Sequence, residues 1–98
     1  MAKVVWTAEA DRWLLRIHDY IASDKPAAAF EVVESLYRRA EILTEFPDIG
    51  HAYTTPSGRK VRILLWSHYR IVYVRQPPDE VRILGVFHGA MDLKQYVP

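Results

Sequence analysis

The sequence predicts an α+β domain, a helical hairpin packed on a small antiparallel sheet in the order β-α-α-β-β-β. Three observations predict it. Two stretches of helical period fill the first half, three alternating stretches fill the second, and a short β-branched run precedes both. With 98 residues, the chain reads as one domain spanning 1–98. Half of its residues are hydrophobic, which fits a packed globule and not a disordered tail.

The elements follow in chain order. Val4-Val5-Trp6 suits a first strand. Thr7 is placed to cap a helix, and Glu9 and Asp11 then fall in the first turn, where the macrodipole favours negative charge. Ala10, Trp13, Leu14, Ile17, Tyr20 and Ile21 recur in steps of three and four and form one apolar stripe. Ser23-Asp24-Lys25-Pro26 ends this helix and begins the next, with Ser23 or Asp24 as cap and Pro26 in the first turn. The second stripe is Ala29, Phe30, Val33, Leu36, Tyr37, Ala40 and Leu43, with Phe46 just after. Pro47 closes it, because the residue before proline is pushed out of the helical region. The short connection predicts an antiparallel hairpin.

From Asp48 to Gly58 the text has little periodicity and reads as a loop. Alternation then begins. Residues 61–66, 69–75 and 81–88 read as three strands joined by Ser67-His68 and by a proline-containing turn at 76–80, which gives a meander. Counting by twos along the last strand puts Arg82, Leu84, Val86 and His88 on one face.

The absence of cysteine excludes a disulfide framework, a thiolate metal site and a cysteine nucleophile. Glycines are dispersed, so no phosphate loop is present, and no two histidines stand at helical metal spacing. Neither a metal nor a cofactor is expected. No apolar run approaches a membrane span, and the charged opening does not read as a signal peptide, so a cytoplasmic protein without membrane contact is expected. The net charge of +1 is a cancellation. Residues 1–57 carry six basic against nine acidic side chains, net −3; residues 58–98 carry seven against three, net +4. The basic half points to an anionic partner.

Chemistry, if there is any, lies in the cations of the strands. Arg62, Arg70 and Arg82 can hold phosphate charge through forked hydrogen bonds, and His88 can move a proton near neutral pH. The competing reading is that these arginines pair with acids on a wet face and keep the sheet soluble. Trp66, at a strand end, is open between core edge and partner contact; Trp13, on a helical stripe, reads as core. His18 reads as surface or packing, while His51 and His68 carry no signal.

Several stretches together resemble the RelE/ParE superfamily of toxins from type II toxin–antitoxin (plasmid stabilization) systems. They are the opening 5–11, Ile17-His18-Asp19-Tyr20-Ile21, the helix exit at 43–50, Tyr69-Arg70-Ile71-Val72-Tyr73, and the closing 83–92. The resemblance spans nearly the whole chain, and the fold it implies is the one read from periodicity. It also implies a bacterial, growth-inhibiting toxin with a cognate antitoxin as partner. Two targets follow from it. ParE-like members inhibit DNA gyrase; RelE-like members cut mRNA on the ribosome. Val86-Phe87-His88-Gly89-Ala90-Met91-Asp92 is similar to the ParE side, although Met91 stands where an arginine is expected. On the nuclease alternative the resemblance makes Arg62 and Arg70 phosphate ligands and His88 a proton donor. On either target, Lys60, Arg82, Trp66 and Tyr96 are expected to contact target or antitoxin. A third possibility is an inactive member that only binds an antitoxin.

Overall fold

The computed structural model describes residues 1–98. Strand β1 (Lys3–Trp6) leads into helices α1 (Ala8–Ala22) and α2 (Pro26–Ala40), and a 3-10 turn (Glu41–Thr44) follows. Strands β2 (His51–Thr54), β3 (Lys60–Trp66), β4 (Tyr69–Gln76) and β5 (Glu80–His88) come next, and a single helical turn, α3 (Leu93–Tyr96), follows them. The five strands form one sheet in the order β1-β5-β4-β3-β2.

This is the expected α+β fold with three refinements. First, β1 joins the sheet parallel to β5, so the sheet is only mostly antiparallel. A hairpin of two helices returns the chain to the side from which it left, and that permits a parallel neighbour. Second, residues 51–54 form an edge strand and not a loop. Third, residues 93–96, for which no element was expected, make a helical turn capped by Asp92, whose carboxylate accepts from the Lys94 N–H.

The helices begin and end for local reasons. The Thr7 hydroxyl accepts from the Ala10 N–H at 3.1 Å and donates to the Ile83 carbonyl at 2.7 Å, so one side chain caps α1 and ties it to β5. Pro26 occupies the first turn of α2, which makes Lys25 the capping residue; Ser23 instead closes α1 by donating to the Tyr20 carbonyl. Ala10 and Leu14 of α1 and Ala29, Leu36 and Ala40 of α2 are buried. Tyr20 and Phe30, expected in the stripes, are 84% and 64% exposed, and Phe46 is also exposed. Each lies at the margin of its stripe, beyond what the sheet covers.

The sheet has two unequal apolar faces. The hairpin covers Leu64, Ile71, Tyr73, Val81, Ile83 and Val86. On the far face, Val61, Ile63, Val72 and Phe87 pack beneath Leu93 and Val97 of the C-terminal segment. One irregularity decides which residue faces which way. Val72 pairs with Gly85 and Tyr73 with Ile83, so Leu84 has no partner on β4. This bulge inserts one residue and reverses the alternation beyond it. Val81, Ile83, Val86 and His88 therefore share the hairpin side, whereas Arg82, Gly85 and Phe87 look the other way. The expectation that Arg82 and His88 share a face is thus overturned by the bulge.

Tyr73 latches the loop before β2. Its hydroxyl donates to the Pro47 carbonyl at 2.8 Å and accepts from the Gly50 N–H at 2.9 Å. A Cβ at Gly50 would come within 2.8 Å of that hydroxyl, so only glycine fits there. Burial raises the Tyr73 phenol above its ordinary value of 10.0, against the lowering effect of the Gly50 hydrogen bond. The folded state therefore favours the neutral phenol, and its contribution is present below about pH 10 and is lost as the pH climbs above it. Tyr73→Phe leaves one buried donor and one acceptor unpaired and should cost about 1–3 kcal/mol at neutral pH. Urea denaturation of the two proteins measures this cost.

Candidate functional site

A mainly apolar concavity forms where β1 stops. β1 accompanies β5 only as far as the Trp6–Ile83 pair. Beyond it α1 runs beside the last residues of β5. Trp13 reaches the strand where Gly85 has no side chain, and its ring meets Phe87 edge-on at 4.7 Å. A Cβ at Gly85 would lie 3.1 Å from Trp13 Cδ1 and 2.6 Å from Phe87 Cζ. Tyr96 adds a third ring, 5.3 Å from Trp13 and 5.9 Å from Phe87. This aromatic trio holds α1, β5 and α3 together.

Above it lies a groove of about 440 Å³, lined by Trp13, Ile17, Tyr20 and Ile21 of α1, by Tyr69 and Val86 of the sheet, and by Met91. Arg16 and His88 complete the lining, which includes no carboxylate. The Arg16 guanidinium sits 4.6 Å from the Trp13 ring centroid. The His88 Nδ1 accepts from the Ala90 N–H at 3.1 Å, which puts the proton of the neutral ring on Nε2. Burial, and secondly Tyr20, raise the Tyr69 phenol above its usual value, so it stays neutral at physiological pH.

The residues singled out from the sequence fall in separate places. Arg70 is on the far face, where its Nη2 donates to the carbonyls of Met91 at 2.6 Å and His88 at 3.4 Å. Its Nε is buried without an acceptor. Arg62 is on the hairpin side, where its Nη1 donates to the carbonyls of Asp48 at 3.0 Å and Gly50 at 2.7 Å. Arg62 pairs with Tyr73 and His88 with Tyr69, four residues apart on β4. At roughly 3.3 Å per residue, that is about 13 Å along the strand with a strand between them. Arg62, Arg70 and His88 therefore do not meet around one phosphate. Arg82 is exposed and ion-paired with Glu80. Trp66 stacks on Tyr69 at 6.3 Å and packs at the margin of the hairpin-side core. Tyr96 belongs to the aromatic trio, and Lys60 is exposed at the start of β3.

Sequence reasoning missed two contributors. Asp48 lies between the guanidiniums of Arg62 and Arg75, with Arg75 Nη1 at 2.8 Å and Arg62 Nε at 3.6 Å. Met91 lines the groove and supplies the carbonyl that Arg70 holds. The only signal for Asp48 was its place after Pro47, and a carbonyl carries no signal at all. No group of three or more His, Cys, Asp or Glu side chains is arranged to hold a metal ion. No helix is long and apolar enough to cross a membrane.

An α+β domain with an apolar groove between its first helix and β5 is the class this arrangement defines, and comparison with known proteins gives the family. The model of the ParE toxin of the type II toxin-antitoxin system, parDE, matches residues 4–93. The chain belongs to that family and is a type II toxin of the RelE/ParE superfamily. Its fold is similar to that in the chromosomal ParDE TA system from P. aeruginosa, with a TM-score of 0.75 and 22% identity, covering 90% of this chain and 96% of that one. It is also similar to a chain in the RelBE2 toxin-antitoxin complex from Mycobacterium tuberculosis, with a TM-score of 0.60 and 22% identity, covering 89% of this chain and 96% of that one. In sequence it is 28% identical over 95 residues to Ribonuclease Y from Roseiflexus sp. (strain RS-1). That alignment takes in 93% of this chain but 15% of the relative's length.

The structure gives Arg70 a fastening role, which can be measured. Arg70→Met should free the Met91 carbonyl and loosen the C-terminal segment. The expected result is faster amide exchange at residues 93–97 and a stability loss of about 1–3 kcal/mol. Unchanged exchange there would remove the role.

Proposed function

We propose that the chain is a ParE-like toxin that inhibits DNA gyrase and is neutralised by a cognate antitoxin seated in the groove between α1 and β5. The observation that carries the target is the dispersal of the cations. RNA cleavage needs phosphate-charge stabilisation and proton transfer at a single phosphodiester. Arg62 and Arg70 are each engaged with backbone carbonyls, on opposite faces of the sheet, and His88 stands at the far end from Arg62. Those positions favour a toxin that acts by binding over the ribosome-dependent mRNA endonuclease. The antitoxin reading rests on the groove, whose apolar floor and single guanidinium suit an amphipathic segment carrying acidic residues. It is also supported by the similar folds having been solved within toxin–antitoxin systems.

The target is tested with purified toxin and gyrase on relaxed plasmid. The expected outcome is loss of supercoiling that is restored on adding the antitoxin, with no codon-phased cuts in primer extension on cellular mRNA after induction. Undiminished supercoiling at excess toxin together with codon-phased cuts would transfer the assignment to the nuclease class. Undiminished supercoiling with normal growth on induction would leave an inactive antitoxin-binding member.

A further inference from the structure

A second surface lies at the other edge of the sheet, away from the groove. Strand β2 is the last in the sheet order and pairs only with β3. The outward N–H and C=O groups of His51–Thr54 have no partner within the chain. Beside this edge is a cleft of about 620 Å³ whose charged residues are Lys60, Arg62, Arg75 and Asp48. Three cations against one carboxylate leave an excess of two positive charges.

The cleft already shows which anion it fits. The Asp48 carboxylate sits 2.8 Å from Arg75 Nη1 and 3.6 Å from Arg62 Nε. The guanidinium pair is thus spaced for a carboxylate, while the Lys60 side chain makes no hydrogen bond or ion pair within the chain. The register adds access. Thr54 lies opposite Lys60 and Ala52 opposite Arg62, so small side chains on β2 separate the long cations from the open edge. A strand added outside β2 would lie about 10 Å from β3, at roughly 4.8 Å per strand. A glutamate facing Ala52 or Thr54 could meet Lys60 or Arg62 across that interval.

From these features we infer that the β2 edge is a docking site for an extended acidic segment of a protein partner, which adds as a sixth strand and sets its carboxylates on Lys60, Arg62 and Arg75. A second copy of this chain is a poorer occupant, because two such edges would bring like charges together. Main-chain pairing would give affinity and the cations would give choice of partner. The site is separate from the α1–β5 groove, so it stands or falls independently of the antitoxin and gyrase assignments.

The probe is a capped nine-residue peptide of alternating Glu and Val, titrated by fluorescence anisotropy against the full chain. Binding that weakens steeply with salt is expected. A Gln-for-Glu version should bind at least tenfold more weakly, and N-methylation of alternate amides should abolish binding. Lys60→Glu should also weaken binding tenfold or more, and Lys60→Gln by less; neither should lower the melting temperature, because the exposed Lys60 side chain makes no bond in the fold. Asp48→Asn should tighten binding, by removing the internal competitor. Failure of the Glu peptide to bind, equal binding by the Gln peptide, or tighter binding of a fifteen-residue oligothymidine would overturn the inference, the last by assigning the cleft to nucleic acid.

Discussion

Leu84 has no partner across the sheet, and much of the architecture depends on that one inserted residue. Before it, Val81 and Ile83 face the helical hairpin; after it, Val86 and His88 do, and Phe87 turns to the far side. Without the insertion Phe87 would point under the hairpin and the far face would lose its largest apolar side chain. The bulge also coincides with the point where β1 ends and Thr7 bonds to the Ile83 carbonyl. Strand pairing is thereby handed over to helix packing at a single place. Gly85 then admits Trp13, and the rings of Trp13, Phe87 and Tyr96 bind the two faces together around the open edge of β5.

The same constraint governs electrostatics. The C-terminal half carries net charge +4, but most of its arginines are turned to internal tasks. Arg62 and Arg70 hold carbonyls, Arg75 holds Asp48, and Arg82 holds Glu80. A guanidinium that ties down backbone is a fastener first, and its capacity to bind an external anion is reduced by each donor already used. The positive character that remains for partners is concentrated around Lys60 and the two arginines that share Asp48. The groove beside β5 is by contrast mainly apolar, so the molecule offers two chemically distinct surfaces.

Much of this was legible from residue types. Thr7 as a cap, the buried positions Leu14, Leu36 and Ala40, and the strands β3 to β5 follow from periodicity and capping chemistry. The strand β2 was not legible, because His51–Thr54 is four residues long, mostly exposed, and paired on one side only; alternation needs a buried face to be visible. The facing of His88 and Phe87 was not legible either. Counting by twos is sound within an unbroken ladder, and nothing in Ile83-Leu84-Gly85 separates a bulge from a regular strand except the glycine, which serves packing as well. The family was readable from the order of several short stretches, but the site was not. Whether Arg62, Arg70 and His88 converge is a question of register and of carbonyl positions, and neither is written in side-chain identity.

The central claim is that the bulge sends His88 to the hairpin side while Arg70 stays on the far face, bound to the C-terminal segment. Nuclear Overhauser contacts in the free protein test it directly. The account predicts cross-peaks from the His88 imidazole to the Tyr69 ring, 5.6 Å away between centroids, and from Trp13 to Phe87. It also predicts cross-peaks from Arg70 to Met91. Cross-peaks from the Phe87 ring to the Tyr69 and Ile71 side chains beneath the hairpin, with none between the His88 and Tyr69 rings, would mean an unbroken alternation along β5 and would contradict it.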